Sequence, residues 1–287
     1  MRTEWVDRAV HPALRRFVAT AVGYRQEGLA PGLHRGLPSP FLTFVVTLDE
    51  PLVLLAHPDP GQAPGRYDGL VGGLHTRPAL IEHPGRQAGL QLSLTPAGAR
   101  ALLGVPAGAL ASLDAPVDDV LGAPGRELVD RVRSAPDWPG RFAAVEQVLL
   151  RSARHDSGPA PEVAEAWRLT TAAGGRLRVA EVAARVGWSD RHLEKRFRAE
   201  TGLSPKEAAR VVRFDRARRL LAARAGRDGA RDLAGLAADL GFADQAHLTR
   251  EWRALAGLPP TGWLAAEFGF VQDSTPGRGQ AAAHDHT

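Results

Sequence analysis

Two stretches of the chain share one pattern, and this repeat limits the possible folds more than any other feature. The first, GWSDRHLEKRFRAETG, runs from Gly187 to Gly202, and the second, GFADQAHLTREWRALAG, runs from Gly241 to Gly257. A short apolar segment precedes each stretch, VAEVAARVG in the first copy and LAGLAADLG in the second. A helix, a short turn that contains Gly and a second helix form the helix-turn-helix pattern. The sequence therefore predicts two such units.

The apolar positions of both units have helical spacing, which predicts a buried seam on each helix. Ser189 or Asp190 is expected to cap the second helix of the first unit, and Asp244 that of the second. Gly187 and Gly241 are expected to end the helices before the turns. The predicted core positions are Val179, Val182, Ala183, Val186, Leu193 and Phe197 in the first unit, and Leu233, Leu236, Ala237, Leu240, Leu248, Trp252 and Leu255 in the second.

One long helix is predicted between the two units. Ser204 is a helix cap, Pro205 takes the first helical position, and Glu207 follows the cap by three residues, which is a capping box. A helix over residues 205–224 has 20 residues and would be roughly 30 Å long. One turn of B-DNA is about 34 Å, so this helix would hold two reading helices over successive major grooves.

Charge is concentrated in the same part of the chain. The whole sequence carries a net charge of +4, whereas the window 176–219 alone has 13 Lys and Arg residues against 6 Asp and Glu, a net +7. Such a window is typical of a surface that binds a polyanion such as nucleic acid. The alternative interpretation is an ordinary solvated helix surface in an arginine-rich chain.

These motifs resemble those of the AraC/XylS transcription regulators over residues 161–268. The glycines of the first unit are 15 positions apart and those of the second 16, as in that family. The resemblance implies two helix-turn-helix units that bind double-stranded promoter DNA. Ala246 departs from the polar residue often found at its position and offers only a methyl group. The implied base-reading residues are Arg191, Glu194, Lys195, Gln245, Ala246, His247 and Arg250, and the implied phosphate contacts are Arg198, Lys206, Thr249 and Arg253.

The N-terminal half is predicted to be rich in strands. Strands are expected at Phe41–Leu48, Pro51–Ala56 and Gly89–Leu94, a strand pair over Gly72–His83, and a loop over His57–Gly69. Helices are expected at His11–Tyr24 and Thr95–Gly104, and over residues 116–155. The predicted fold class is α+β with two domains, a β-rich, cupin-like barrel with flanking helices and an all-α domain.

The predicted division of the chain is a sensing or dimerisation domain over residues 1–155, a linker over 156–160, the DNA-binding domain over 161–268 and a disordered tail over 269–287. The stretch from Gly73 to Leu110 resembles the end of an AraC-type sensing domain. This resemblance implies a small-molecule effector and allows RNA polymerase and a second copy of the chain as partners. His75, Arg77 and Glu82 are candidates for a ligand pocket, although such residues are more often structural.

Features of an enzyme are missing from the sequence. It has no Cys, no Gly-rich phosphate loop and no Ser/His/Asp signature, and the histidines of the first half are scattered. We therefore predict neither catalysis nor a cofactor or metal, and the tail pair His284 and His286 is interpreted as incidental. No apolar segment is long enough for a membrane span, and no signal peptide is evident, which predicts a cytoplasmic protein. The alternatives are a cupin-like small-molecule enzyme and a DNA-binding protein without an effector.

Overall fold

The computed structural model describes residues 2–154, 158–225 and 232–267. The N-terminal half contains ten strands and the helices that cover them. The strands are β1 (Arg2–Asp7), β2 (Val18–Glu27), β3 (Gly32–Gly36), β4 (Leu42–Thr47), β5 (Leu52–Ala56), β6 (Gly65–Tyr67), β7 (Gly69–Gly72), β8 (Ala79–His83), β9 (Arg86–Leu94) and β10 (Asp114–Pro116). The helices are α1 (Pro96–Gly98), α2 (Val117–Leu121), α3 (Ala123–Ser134) and α4 (Trp138–Ser152), with a π-helical turn at Ala99–Leu103 and 3₁₀ turns at Pro12–Leu14 and Ala107–Leu110.

The strands form two antiparallel sheets. The six-stranded sheet has the order β1-β2-β9-β4-β7-β10, and the four-stranded sheet has the order β3-β8-β5-β6. One face of the larger sheet packs against α4, where Val18, Ala21 and Leu92 meet Phe142 and Leu149. Its other face looks towards the smaller sheet. The apolar core of this half therefore lies mainly between the larger sheet and the helices.

The prediction of a helix over His11–Tyr24 is wrong. Only Pro12–Leu14 forms a 3₁₀ turn, and β2 begins at Val18. The β-branched residues Val18, Thr20 and Val22 suit a strand, and β2 is bonded on both sides, to β1 and to β9. Sheet hydrogen bonds to distant segments outweigh the local helical pattern.

The other N-terminal predictions are mostly confirmed. β4 and β5 lie in the predicted segments, β9 includes the predicted strand Gly89–Leu94 but begins earlier, at Arg86, and residues 96–103 are helical. The segment predicted as a strand pair over 72–83 contains one complete strand, β8, because β7 ends at Gly72. The segment predicted as a loop over 57–69 contains the short strand β6. The helices over 116–155 are confirmed by α2, α3 and α4, although His155 lies outside the described residues.

The C-terminal half is helical. Its helices are α5 (Pro161–Ala172), α6 (Val179–Arg185), α7 (Asp190–Thr201), α8 (Pro205–Ala225), α9 (Leu233–Asp239), α10 (Gln245–Ala256) and α11 (Pro260–Ala266). None of the described helices is long and apolar enough to cross a membrane. Of the predicted linker, Asp156 and Ser157 lie outside the described residues, as does the whole predicted tail. The predicted fold class, a β-rich domain followed by an all-α domain, is confirmed.

Candidate nucleic-acid interface

The first helix-turn-helix unit consists of α6, a turn and α7. Gly187 has a φ of 74°, a left-handed conformation that favours glycine, and it ends the first helix. The backbone N–H of Trp188 donates to the carbonyl of Ala183 at 2.9 Å. Ser189 is the cap, because its hydroxyl accepts from the N–H of His192 at 3.3 Å. These contacts set the angle between α6 and α7.

The second unit repeats this geometry with α9 and α10. Gly241 has a φ of 73°, and the N–H of Phe242 donates to the carbonyl of Ala237 at 3.0 Å. Asp244 caps α10 by accepting from the N–H of His247 at 2.6 Å. Before the turn the units correspond with an offset of 54 positions, and from the cap onwards with an offset of 55. The extra residue of the second unit therefore lies in its turn.

The same offset places two histidines in equivalent positions. The ring of His192 stands edge-on to Trp188 at 4.6 Å, and the ring of His247 stands edge-on to Phe242 at 5.5 Å. The Nδ1 atom of His247 also accepts from the N–H of Ala243 at 3.2 Å. Each histidine thus stabilises the start of the second helix of its unit, α7 or α10, which we call the recognition helix. The sequence did not reveal this role.

The connecting helix α8 carries the predicted capping box. The N–H and hydroxyl of Ser204 both donate to the Glu207 carboxylate, at 2.8 and 2.7 Å, and the N–H of Glu207 donates back to the Ser204 hydroxyl at 3.2 Å. Partial burial opposes ionisation of Glu207, but the bonds from Ser204 and the charges of Arg198 and Arg210 outweigh it and lower its pKa. The start of α8 is therefore fixed next to the end of α7.

Two arginines of α8 hold the second unit. Arg210 donates from Nε to the carboxylate of Glu251 on α10 at 2.6 Å. Arg213 lies over the ring of Phe242 at 5.6 Å and reaches the carbonyl of Gly241 at 3.5 Å. Phe214 meets Trp252 edge-on at 5.2 Å in the core beneath. The connecting helix thus contacts both the turn and the recognition helix of the second unit.

The predicted base-reading residues share one property, which is exposure to solvent, with His247 half-buried as the exception. On α7 the exposed cations Arg191, Lys195 and Arg198 follow one stripe, whereas α10 presents a more neutral surface with one main cation. In the register of the caps, Lys195 corresponds to Arg250 and Glu194 to Thr249. The exposed members of the predicted base-reading set are Arg191, Glu194, Lys195, Gln245, Ala246 and Arg250.

The predicted phosphate contacts differ in how far they are already engaged. Arg198 pairs with Glu194 at 3.7 Å and with Glu207 at 3.4 Å. Arg253 and Lys206 are exposed, and Thr249 donates its hydroxyl to the carbonyl of Gln245 at 2.9 Å. Arg198 would therefore have to exchange carboxylate partners for a phosphate, unlike its equivalent Arg253.

A family comparison agrees with this geometry. The model of the family described as "Helix-turn-helix domain" matches residues 175–266, which include both units and α8. The chain carries an AraC-type helix-turn-helix domain. A domain of this kind supports a role in DNA binding and transcription regulation. A sequence comparison with curated proteins found no match.

Solved structures share the two-domain fold of this chain. The 1.65 Å structure of ToxT from Vibrio cholerae has a TM-score of 0.50 at 11% identity, over 86% of this chain and 97% of that one. An apo single-residue variant of ToxT from Vibrio cholerae strain SCE256 has a TM-score of 0.50 at 9% identity, over 86% and 97%. Wild-type ToxT of that strain with bound unsaturated fatty acid has a TM-score of 0.49 at 9% identity, over 86% and 95%. The first two show the shared fold.

The N-terminal domain of this chain has a small cleft between its two sheets. The cleft has a volume of about 30 Å³, and is lined by residues of β2, β4 and β9 on one side and of β5 and β8 on the other. Of the three pocket candidates from the sequence, Glu82 lines it. His75 and Arg77 lie in the segment after β7 instead, where His75 Nδ1 contacts the carbonyl of Arg77 at 2.5 Å.

The face of the larger sheet towards this cleft carries several uncharged polar side chains, together with Val22 and Val45. Gln26 is fully buried, and its Oε1 accepts from Nε2 of Gln87 at 2.5 Å. Among the described residues, Nε2 of Gln26 has no hydrogen-bond partner. Burial raises the pKa of Tyr24 to about 12, so its phenol stays neutral. Strand alternation and the strand register place the following polar residues on this face: Thr20, Tyr24, Gln26, Thr47, Gln87, Gln91 and Ser93.

Charged groups lie at the rim of the cleft. Three carboxylates, Asp49, Glu50 and Glu82, and one guanidinium, Arg86, are among the lining residues. Burial lowers the pKa of His83, and His34 lowers it further against the opposite effect of Glu267. Asp49 pairs with Arg25 at 3.0 Å and Glu50 pairs with Arg86, so the excess of negative charge at the cleft is small. Within the described residues, no group of three or more His, Asp and Glu side chains could hold a metal ion.

Proposed function

We propose that α7 and α10 enter successive major grooves on one face of double-stranded promoter DNA. The observation that carries this proposal is the exposure of both recognition faces on helices attached to one helix, α8. This helix has 21 residues and is roughly 32 Å long at 1.5 Å per residue, close to the ~34 Å turn of B-DNA. The base-reading set is Arg191, Glu194 and Lys195 on α7, and Gln245, Ala246, His247 and Arg250 on α10.

Affinity and sequence choice would come from different residues. Arg and Lys donate to guanine, Gln pairs with adenine, Glu accepts from cytosine, and the Ala246 methyl group can contact thymine. Contacts to phosphate hold the protein in register but carry no sequence information. Arg198, Lys206, Thr249 and Arg253 are the proposed phosphate contacts.

Selection from a random-sequence duplex library tests the DNA-reading proposal. We expect the full-length protein to enrich two short conserved blocks about one helical turn apart. Enrichment of a single block, or binding without sequence preference, would contradict reading by both units. Genome-wide footprinting would then locate the natural sites and the genes beside them.

The cleft between the sheets is the proposed effector site. Amides and hydroxyls both donate and accept hydrogen bonds, so the neutral face that includes Gln26 and Gln87 suits a ligand with hydroxyl groups. Gln87 lines the cleft, and Gln26, to which it donates, is fully buried behind it. The small excess of negative charge at the rim disfavours an anionic ligand. We therefore propose a small, neutral, hydroxyl-bearing effector.

Calorimetric titration with a panel of neutral monosaccharides and polyols tests the effector class, with an unsaturated fatty acid as the anionic comparison. We expect binding of at least one neutral ligand, and loss of that binding in Gln87→Leu. Gln147→Leu is the matched control, because Gln147 is exposed on α4, away from the cleft. Binding of the fatty acid alone, or of no compound in the panel, would contradict the proposed class.

The remaining proposals concern partners and organisation. Residues 1–155 would form the sensing domain and residues 161–268 the DNA-binding domain, joined by a linker over 156–160. RNA polymerase and a second copy of the chain are the proposed protein partners, and the cytoplasm is the proposed location. The proposed function is regulatory and includes no catalytic step.

A further inference from the structure

The N-terminal domain contacts the end of the first recognition helix. Arg100 donates two hydrogen bonds to the carboxylate of Glu200 on α7, at 3.0 and 2.6 Å. The 3₁₀ turn at Ala107–Leu110 packs so closely on α7 that a Cβ at Gly108 would lie 2.5 Å from the Ala199 carbonyl oxygen. Gly202, which ends α7, similarly has no room for a Cβ beside Ala111.

A second contact joins the N-terminal domain to the second unit. Glu267 follows α11, and its side chain is only 1% exposed. Its carboxylate accepts from the backbone N–H of Arg35 at 3.0 Å and lies 2.6 Å from Nδ1 of His34, both on β3. The N-terminal domain also lies close to Gly257, which ends α10 as Gly202 ends α7. A Cβ added at Gly257 would lie 3.7 Å from Pro78.

The contacts between the N-terminal domain and the two units are part of a packed interface. Residues of both domains, including Ala107, Leu110, Phe197 and Leu203, belong to one continuous apolar cluster. Glu200 is nine-tenths buried, with 11% of its side chain exposed. Buried carboxylates are costly unless they are paired and hydrogen-bonded, so both glutamates depend on their partners in the N-terminal domain.

We propose that Glu200 and Glu267 are positioning residues, through which the N-terminal domain sets the placement of the two reading helices relative to each other. The connecting helix α8 supplies one constraint on that placement, and the two carboxylate contacts supply a second. Release of either contact would free one unit to move relative to the other. This inference goes beyond DNA reading itself and concerns the geometry in which both units reach DNA together.

The fold also connects one of these contacts with the cleft. β3 pairs with β8 in register, with Gly32 opposite His83 and His34 opposite Ile81. His83 lines the cleft, whereas His34 contacts Glu267. A ligand that displaced β8 would therefore act on the strand that holds Glu267. This strand pair connects a cleft-lining residue with the strand that contacts Glu267.

Spin labelling tests the proposal without DNA. The chain has no native Cys, so labels at Arg196→Cys on α7 and Ala254→Cys on α10, both exposed, would report one distance. We expect a narrow distance distribution in the otherwise unaltered protein and a broadened or shifted one in Glu200→Gln/Glu267→Gln. Glu165→Gln is the matched control, since the ion pair of Glu165 within the described part of the chain is with Arg168 on the same helix, α5. An unchanged distribution in the double variant would overturn the proposal.

Substitutions in the N-terminal domain serve as a second control, because the glutamate variants could broaden the distribution simply by misfolding the DNA-binding domain. Arg100→Gln, His34→Gln and Arg35→Gln leave the sequence of that domain intact. Together they remove the side-chain partners of both glutamates, including the Arg35 guanidinium 3.7 Å from Glu267, and are expected to reproduce the broadened distribution. If the glutamate variants broaden it and these variants do not, the change lies within the helices and the proposal is overturned. Circular dichroism spectra and melting midpoints would confirm that each labelled protein is folded.

DNA binding gives the second readout. The probes are the duplex selected by the wild-type protein and the same duplex with one block scrambled. The ratio of the two affinities is expected to change about 5-fold or more in Glu200→Gln/Glu267→Gln, the lower limit of typical coupling between sites. An unchanged ratio would overturn the proposal. If the wild-type protein selects no sequence, DNA reading fails, and the spin-label distances still decide the role of the two glutamates.

Discussion

The two helix-turn-helix units are built on one plan and differ at two kinds of position. The corner aromatic, the cap, the edge-on histidine and the final glycine recur in both, with one extra residue in the second turn. The buried seam recurs too, with Phe197 in the first unit and Trp252 in the second. Positions that form the scaffold have therefore been kept alike, because the angle between the helices depends on them.

The outward positions are different in each unit. The exposed stripe of α7 is ionic, whereas that of α10 is more neutral and has Arg250 as its main cation. At the end of the helix, Glu200 of the first unit corresponds to Leu255 of the second. Glu200 pairs with the N-terminal domain, and Leu255 is buried in the core. The comparison separates a shared scaffold from two faces that are specialised for different contacts.

The largest expected effect comes from the shared scaffold. Phe197→Ala removes a ring stacked on Trp167 at 5.7 Å, and Trp252→Ala removes one packed on Phe214. Each is expected to lower the free energy of unfolding by about 3–5 kcal/mol, because a large cavity remains. Urea denaturation monitored by circular dichroism measures this loss. A loss below about 1 kcal/mol in either variant would contradict an equivalent role for the two rings.

Substitutions on α7 and on α10 should affect different halves of the DNA site. Arg250→Ala is expected to lose about 1–3 kcal/mol of base discrimination in one block of the selected site. Lys195→Ala, at the equivalent position of α7, should do so in the other block. The affinities of each variant for duplexes with single base changes measure the base discrimination that is lost. Unchanged preference at every base in Arg250→Ala would exclude it as a reading residue.

The two helix caps are expected to contribute different amounts of stability. Asp244 accepts from the N–H of His247 at 2.6 Å, whereas the Ser189 bond to His192 is 3.3 Å. Asp244 also presents a carboxylate to the helix N-terminus, where negative charge is favourable. Asp244→Ala is expected to cost about 1–2 kcal/mol of stability and Ser189→Ala about 0.5–1 kcal/mol. Equal losses in thermal or urea unfolding would show that charge and distance do not matter here.

The smallest expected difference concerns phosphate contacts. Arg253→Ala should weaken binding to all sequences and reduce the slope of log affinity against log salt by about 1. Arg198→Ala should change the slope less, because Arg198 must first leave Glu207 and Glu194. Fluorescence anisotropy over a salt series measures both slopes. If Arg253→Ala leaves the slope as it is, Arg253 does not contact phosphate.

Local patterns in the sequence predicted most of the DNA-binding domain. The capping box of Ser204 and Glu207, the left-handed glycines and the buried seams all depend on residues within one or two helical turns. Such short-range interactions leave a periodic signal. The specific base and phosphate roles of the exposed residues stay predictions, because contacts of an exposed side chain with DNA leave no periodic signal in the sequence.

Long-range pairing left no comparable signal. The strand that begins at Val18 has a local pattern compatible with a helix, and only its hydrogen bonds to β1 and β9 decide the matter. Arg100 and Glu200 are 100 positions apart, and His34 and Glu267 are 233 apart. In a single sequence, the residues next to each member of these two pairs do not indicate which distant residue is its partner.

The sequence by itself determined that this protein has two helix-turn-helix units joined by one long helix, because helical periodicity, caps and glycines act locally. The tertiary structure alone decided how the sheets are ordered, which sheet face is polar, and where the N-terminal domain holds each unit. The physical reason is that buried carboxylates and strand hydrogen bonds must be satisfied, but their partners can come from anywhere in the chain.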